Sequence, residues 1–256
     1  MTGGGAPGYI LNVFKSDAIA KATKTAKGED TRARVFETAL GLFREKGFDA
    51  TTMRDVAAGA GLSLGAAYHY FPSKDAIVAA YYESVQAEHA SRLREALPGL
   101  KSAGERLAFA LHAKLEILKK DRPLMGALLR YTGDAKHPLS FLGEGTRGIQ
   151  FGSIALFGEA LDWQQLPKDM REIIPLMAWA MHMGLLLYFL YDESPNHTRT
   201  ARLTDGAADL FAKWLTLVKL PVLRPLRKRV IALLSDAGLV PDETALAPYR
   251  MTAAQS

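Results

Sequence analysis

The segment 31–80 constrains the fold more than any other part of the chain, because its local signals predict a series of short helices joined by tight turns. An apolar stripe at three- and four-residue steps predicts the first helix. The residues of this stripe are Val35, Phe36, Ala39, Leu40 and Phe43. Gly47 is suited to end the helix, because glycine readily adopts the left-handed conformation common at helix ends.

Two further helices follow within this segment. Thr52 and Asp55 have the spacing of a capping box, in which each side chain accepts a hydrogen bond from a free backbone N–H at a helix start. The second helix is therefore predicted to begin near Thr52 and to carry Val56, Ala57 and Ala60 inward. Gly61 can take the positive φ of a tight turn, and Ser63 is a good N-cap for the third helix. Helices joined by so short a turn cross steeply.

A fourth, longer helix is predicted directly after the third. Pro72 stops the third helix after Phe71, and Ser73 is placed to cap a helix that begins at Lys74. This helix is predicted to run to about Ala96, before the break at 98–99.

At these residues the chain resembles the DNA-binding domain of the TetR/AcrR (tetracycline-repressor-like) family of bacterial transcriptional regulators. The matching pieces are 39–43 with Gly47-Phe48, Thr51-Thr52, Arg54-Asp55-Val56-Ala57, Gly61-Leu62-Ser63, Tyr68-His69-Tyr70-Phe71 and Ser73-Lys74-Asp75. The resemblance covers about fifty of the 256 residues. It is specific, because three helices, their caps and a Tyr-x-Tyr-Phe-x-x-Lys ending agree.

The resemblance implies which residues meet DNA. Tyr68 and Lys74 match positions that hold phosphates, which sets the register of the protein on the duplex without reading sequence. Thr52 and Arg54 lie at the start of the second helix, where the hydroxyl favours a phosphate and the guanidinium can reach a guanine edge. The residues expected to face the groove from the third helix are Ser63, Leu64, Gly65, Ala66 and His69.

Leu64 and Ala66 depart from the family pattern, because relatives commonly have polar or hydroxylic residues there. Apolar side chains can contact a thymine methyl but cannot make bidentate hydrogen bonds. Sequence readout is then expected to depend on Arg54, on His69, on the N-terminal arm or on DNA shape. The alternative is a helical ligand-binding or interaction module whose helix-turn-helix is vestigial.

The charge and cysteine content set limits on the partners and the compartment. The net charge of +5 and pI near 9.3 are compatible with a polyanion. However, residues 1–80 hold ten Lys and Arg against eight Asp and Glu, so DNA affinity must come from placed contacts rather than from bulk charge. The absence of Cys excludes disulfides, Cys-zinc sites and cysteine catalysis. No signal-peptide pattern is present, and we expect a cytoplasmic protein.

Four regions are predicted along the chain: a flexible arm at 1–29, a helix-turn-helix domain at 30–78, a helical effector-binding and dimerisation domain at 79–240, and a tail at 241–256. The arm carries Lys15, Lys21, Lys24 and Lys27. These lysines either add phosphate or minor-groove contacts or belong to a solvated tail.

The part after residue 100 has helical periodicity and no alternating strand pattern, which predicts an all-α fold. The predicted helices are 103–120, 122–132, 147–161, 170–191, 200–218 and 225–237. The stretch 176–191 is apolar almost all round, and a helix of this kind is buried on two sides or spans a membrane. We expect burial, because the run is short for a span and contains His182.

The predicted helix 200–218 has one broad apolar face, which suits a four-helix bundle made from two copies of the chain. The resemblance implies the same homodimer. The expected interface residues are Leu203, Ala207, Leu210, Phe211, Trp214, Leu215 and Val218. The basic cluster of Arg224, Arg227, Lys228 and Arg229 is interpreted as a solvated face, with a second polyanion contact as the alternative.

The resemblance also implies an effector cavity among the preceding helices. The expected lining residues are Leu111, Leu115, Met125, Phe151, Met177, Met181 and His182. Methionine adapts to mixed ligands, although methionines and aromatics at helical spacing also occur as plain core. His182 is the polar candidate in this set, with a satisfied core histidine as the alternative.

An enzymatic function is not favoured. Residues 143–148 fit G-x-G-x-x-G, but a dinucleotide site needs a strand before the glycines, and the preceding His137-Pro138 indicates a loop that leads into a helix. We expect no catalytic residues, no metal, no cofactor and no membrane span. The sequence therefore predicts a homodimeric transcriptional regulator that binds a pseudo-palindromic DNA operator, acts as a repressor, and is released by a small apolar molecule.

Overall fold

The computed structural model describes residues 26–134, 136–140, 143–240 and 246–249. Lys15, Lys21 and Lys24 of the predicted arm lie outside the described residues, as do the side chain of Lys27 and the predicted tail apart from residues 246–249.

The described residues form α-helices and short 3₁₀ turns, with no strand among them. The α-helices are α1 (Ala26–Lys46), α2 (Met53–Gly59), α3 (Leu64–Tyr70), α4 (Lys74–Ala96), α5 (Ala103–Leu118), α6 (Arg122–Leu129), α7 (Arg147–Ala160), α8 (Ile173–Tyr191), α9 (Thr198–Val218) and α10 (Arg224–Asp236). The all-α class and the order of the predicted helices are confirmed.

The helix ends follow the local signals. Gly47 has a φ of +88° after α1, and Gly61 has a φ of +67° in the turn between α2 and α3. Both conformations favour glycine over residues with a side chain. The predicted helix 122–132 is shorter as an α-helix, because its last turn tightens into the 3₁₀ segment Arg130–Gly133.

The chain divides into two compact units. The described parts of Met1–Ser84 and Lys120–Gly148 form one, termed the head unit, and those of Val85–Lys119 and Ile149–Ser256 form the other, termed the core unit. Helix α6, which the sequence placed in the larger domain, therefore groups with α1–α3.

The head unit contains its own buried core. Val35, Phe43, Val56 and Ala67 are nearly or completely inaccessible to solvent. Val56, Ala57 and Ala60 of the second helix region are all buried, as their spacing predicted.

A buried carboxylate joins three segments of the head unit. The Asp121 carboxylate accepts hydrogen bonds from Arg44 Nε on α1, at 2.5 Å, and from the Tyr81 hydroxyl on α4, at 3.0 Å. Burial and the nearby carboxylate raise the pKa of Tyr81 well above its usual value, so this hydroxyl stays protonated and donates. The network fixes α4 and the turn before α6 against α1.

The core unit is a helical assembly in which α5 packs against both α8 and α9. Its largest fully buried side chains include Leu107, Leu111, Ile154 and Phe157. Helix α8 is long and apolar enough to cross a membrane by length and composition, but 50% of that stretch is buried inside the chain. A core helix of a globular unit has this character.

The G-x-G-x-x-G letters lie in a turn that opens a helix. Glu144–Thr146 form a 3₁₀ turn, and α7 begins directly afterwards. Within the part of the chain that the structure describes, no strand precedes these glycines, as the His-Pro pair before them predicted.

Candidate nucleic-acid interface

The start of α2 is fixed by the predicted capping box. The Thr52 hydroxyl accepts a hydrogen bond from the Asp55 backbone N at 3.2 Å, and the Asp55 carboxylate accepts from the Thr52 backbone N at 2.8 Å. The Thr52 hydroxyl also donates to Asp55, at 2.7 Å. These bonds, with the Lys46 ammonium at 3.2 Å, lower the pKa of Asp55 to about 2. A phosphate at Thr52 must therefore compete with Asp55 for the hydroxyl proton.

Helix α3 presents most of its surface to solvent. Ser63 caps it by accepting from the Ala66 backbone N at 3.2 Å, and the helix is anchored through its buried residue Ala67. Tyr68 is 46% exposed, and its neighbour His69 is also exposed. The outer face of α3 is therefore available to a partner.

Leu64, Gly65 and Ala66 form the first turn of this outer face. Leu64 and Ala66 are half-buried and Gly65 is exposed. A Cβ added at Gly65 would meet no atom within 4 Å, and the backbone there has no positive φ. The head therefore does not require a glycine at this position.

Arg54 projects from α2 into solvent. It makes no hydrogen bond or ion pair with the described residues, so its guanidinium keeps all its donors for an external acceptor. This position agrees with the expected role of Arg54 in reading a base, which stays a prediction.

Lys74 has a structural role that the sequence did not reveal. Its ammonium donates to the Phe48 carbonyl at 2.7 Å and lies 3.4 Å from the Asp49 carbonyl. It also lies 4.5 Å from the centroid of the Phe48 ring, a cation–π distance. An ammonium has three N–H donors, so one remains for a phosphate.

The predicted effector-lining residues are divided between the two units. Met125 is buried in α6 of the head unit. In the core unit Leu111, Leu115 and His182 are buried, and Phe151, Met177 and Met181 pack at the edge of the core. The sequence reasoning missed buried polar residues beside His182, namely Gln86, His89 and Lys114.

A signal for these polar residues was present in the sequence. Lys114 lies on the apolar stripe of α5 that includes Leu107, Leu111 and Leu118. A lysine on a stripe that faces the core indicates a buried cation.

The predicted dimer face of α9 contains both buried and exposed residues. Phe211, Leu215 and Val218 are buried within the same chain, whereas Leu203 and Leu210 are exposed. The exposed stripe continues with Leu217, at seven-residue spacing along α9. On α8 the exposed residues are Ala180, Gly184, Leu187, Tyr188 and Tyr191.

The basic cluster on α10 is not wholly solvated. Arg227 donates from Nε to Asp169 at 3.0 Å and from a terminal nitrogen to the Val218 carbonyl at 2.7 Å. Arg224, Lys228 and Arg229 are exposed, as expected.

Comparison with known proteins identifies the class. Residues 35–81 match the family model of bacterial regulatory proteins of the tetR family, and residues 106–230 match the tetracyclin repressor-like C-terminal domain. The first match spans the helix-turn-helix, and the second spans most of the core unit and α6. The chain belongs to the TetR family of transcriptional regulators.

Curated relatives are similar over part of their length. The chain is 33% identical over 81 residues to the HTH-type transcriptional regulator CymR of Pseudomonas putida, a segment that is 32% of this chain and 40% of CymR. It is 40% identical over 62 residues to the HTH-type transcriptional repressor KstR2 of Mycobacterium tuberculosis, which is 24% of this chain and 28% of KstR2. The matched segments thus span less than half the length of these relatives.

Solved structures share the fold over most of the chain. A TetR transcriptional regulator from Nitrosomonas europaea superposes with a TM-score of 0.58 at 19% identity, covering 72% of this chain and 98% of that one. Salmonella enterica GusR superposes with a TM-score of 0.52 at 22% identity, covering 75% of this chain and all of GusR. At such identities the likeness concerns the fold alone.

Proposed function

We propose that this protein is a homodimeric repressor that binds a pseudo-palindromic operator and is released by a small molecule held in the core unit. The observation that carries the proposal is the outer face of α3. This helix is capped by Ser63 and anchored through Ala67, while its other side is exposed. An α-helix presented in this way fits the major groove of B-DNA.

The contacts divide into positioning and readout. Tyr68 and the remaining N–H of Lys74 hold phosphates, and Ser63 and Thr52 contribute hydroxyls at the two helix starts. Arg54 and His69 read base edges, and Leu64 and Ala66 meet thymine methyls. Gly65 lets the α3 backbone approach the DNA, because it places no side chain between them.

Dimerisation is supported by exposed apolar stripes on neighbouring helices. Helices α8 and α9 pack against each other, and each carries leucine or tyrosine residues that the described part of the chain leaves exposed. Leu210 is 67% exposed and Tyr191 is 73% exposed. Pairing α8 and α9 with their copies would form a four-helix bundle and bury these stripes.

The dimer provides the operator geometry. Two heads related by a twofold axis read half-sites one turn of B-DNA apart, roughly 34–36 Å. Helix α4 is continuous from the head unit into the core unit. A ligand that binds one arrangement of α4 more tightly than another shifts the spacing of the heads and releases the DNA.

The DNA-binding proposal is tested by a mobility shift on the DNA upstream of the chain's own gene, with nonspecific competitor. Arg54→Ala should lower discrimination between specific and nonspecific DNA, with a loss of about 1–3 kcal/mol for one bidentate base contact. Arg229→Ala is the matched control, because it removes an equally exposed arginine from α10. If wild type shows no preference for the upstream DNA, or if both variants bind like wild type, the assignment of the site is wrong.

The dimer is tested with a charge placed on its proposed surface. Leu210→Lys should yield monomers in sedimentation velocity, because the lysine would be buried without a partner at the interface. Leu233→Lys on α10 is the matched control, since Leu233 is 69% exposed and lies outside the proposed interface. A Leu210→Lys protein that sediments like the control would refute the α8–α9 bundle.

A second candidate function is favoured by Leu64 and Ala66, which offer no hydrogen bonds to bases. In this case the chain is a helical ligand-binding or interaction module whose helix-turn-helix is vestigial. Binding to all DNA with equal affinity, lost at moderate salt, would favour this candidate.

A further inference from the structure

The core unit contains a group of buried polar side chains that the proposed function does not explain. We term it the lysine cluster, and its members are Gln86 and His89 on α4, Lys114 on α5 and His182 on α8. Each is at least nine-tenths buried, with exposed fractions of 3%, 0%, 7% and 3%. The cluster draws on three helices that lie apart in sequence, so it is assembled by the fold.

A hydrogen bond joins two members of the cluster, and its histidines contact neighbouring groups. Lys114 Nζ donates to Gln86 Oε1 at 2.7 Å, and His89 Nε2 lies 2.9 Å from the carbonyl of Ala110, one turn before Lys114 on α5. The Phe157 ring lies 6.2 Å from the His89 ring and 5.6 Å from that of His182.

The cluster contains a buried amine that has no counterion among the described residues. No carboxylate among the described residues forms an ion pair with Lys114, and Gln86 Oε1 is a neutral acceptor. Burial lowers the pKa of Lys114 to about 7 and that of His182 to about 3. An unpaired buried ammonium is costly, because it has lost most of its hydration.

The cluster also contains polar atoms without partners. Gln86 Nε2, His89 Nδ1 and His182 Nδ1 are buried and have no hydrogen-bond partner among the residues that the structure describes. Because the Ala110 carbonyl only accepts, His89 Nε2 carries the proton, and its Nδ1 is a free acceptor in the neutral ring. Buried polar groups in native proteins are nearly always satisfied, so unpartnered atoms from three side chains indicate an external ligand.

The two donors of the cluster specify the chemistry of the ligand. A carboxylate accepts from both the Lys114 ammonium and the Gln86 amide, and it neutralises the buried charge. Apolar side chains adjoin the cluster: Leu111 lies one turn before Lys114 on α5, the Phe157 ring contacts both histidine rings, and Met181 precedes His182 at the edge of the core. The remainder of the ligand must therefore be apolar.

We infer that the effector is an organic acid with an apolar body, and that its carboxylate binds Lys114 and Gln86 inside the core unit. This inference rests on the proposed function for the role of the ligand, but the binding itself can be measured without DNA. It changes the expected effector from a purely apolar molecule to an amphiphilic anion.

The test compares carboxylates with their primary amides, which have nearly the same shape and no charge. Benzoate, phenylpropionate, octanoate and decanoate, each with its amide, are titrated into the full chain by calorimetry. At least one carboxylate should bind about tenfold or more tightly than its amide, as expected for hydrogen bonds to a charged group. Binding at a pH between 7 and 10.5 should also take up protons, because the anion favours the charged form of Lys114.

Three variants test whether Lys114 and Gln86 cause the preference for carboxylate over amide. Lys114→Met should abolish the preference for carboxylate over amide. Gln86→Glu should abolish it too while the fold is kept, because it supplies an internal carboxylate at the position now 2.7 Å from the ammonium. Lys119→Met is the matched control, since it removes an exposed lysine just beyond the end of α5, and it should bind like wild type. Circular dichroism of each variant reports its folding.

The results separate the two proposals. If no carboxylate is preferred over its amide by the wild type, or if Lys114→Met and Gln86→Glu keep the preference, the carboxylate site is refuted. Carboxylate binding in a chain that shows no specific DNA binding would refute the proposed function and leave the site intact. Specific DNA binding without carboxylate preference would do the reverse.

Discussion

Replacing Gly65 by alanine should strengthen the fold and weaken DNA binding. Gly65 lies in the first turn of α3, and an added Cβ would have no atom within 4 Å. The change therefore introduces no steric cost, and alanine in a helix is more stable than glycine by about 0.5–1 kcal/mol. Against DNA the same methyl group would stand between the α3 backbone and the groove. We expect a loss of affinity of about tenfold, or about 1.4 kcal/mol.

Gly41→Ala is the matched control. Gly41 is an exposed helical glycine of α1, and a Cβ there also has no atom within 4 Å. Both variants should raise the urea midpoint of unfolding by similar amounts. Fluorescence anisotropy with upstream DNA at fixed salt should show weaker binding for Gly65→Ala alone. If the two variants bind DNA equally well, the groove does not approach the backbone at Gly65, and the docking of α3 is refuted.

Three further predictions concern stability. Asp121→Asn should destabilise the chain by about 2–3 kcal/mol, because a charged acceptor is lost. The change in the free energy of unfolding is measured by urea unfolding in a double-mutant cycle with Tyr81→Phe. If the effects of the two substitutions simply add, the hydrogen bond between Asp121 and Tyr81 is contradicted. Gly158→Ala should lower the free energy of unfolding by about 1–3 kcal/mol, because the new Cβ would lie 2.1 Å from the Trp163 ring. An unchanged melting temperature would refute this prediction. The pKa of Asp55 is lowered from 3.8 to about 2 in the folded state. The ionised carboxylate therefore stabilises the fold fully above pH 3.8, and this stabilisation is lost as the pH falls through about 2. Asp55→Asn should flatten the acid limb of a pH-stability curve, and an unchanged limb would contradict the capping-box bonds.

Much of the head could be predicted from sequence because its signals are local. The Thr52–Asp55 box, the Ser63 cap and the turn at Gly61 each act within a few residues, so they fix helix ends whatever packs elsewhere. The family resemblance arises from the same positions. The exposure of Arg54 and Tyr68 agrees with what it implied.

The candidate sites were harder to predict where they depend on distant segments. Lys74 matched a phosphate-binding position, yet its ammonium also holds the carbonyls of Phe48 and Asp49. The apolar face of α9 was predicted as one surface, but α9 packs against α5, and Phe211 is buried while Leu210 is exposed. Periodicity shows which residues are apolar, and it does not show which of two partners buries them.

The sequence alone determined the helix order, the caps and the family, because hydrogen bonds at helix ends and the spacing of apolar residues operate over short distances along the chain. Only the tertiary structure decided that Lys114 is buried beside Gln86 and His89, and that its amine has no counterion among the described residues. The burial of a side chain depends on helices that are far apart in sequence. Burial also removes a lysine from water, and this desolvation lowers its pKa.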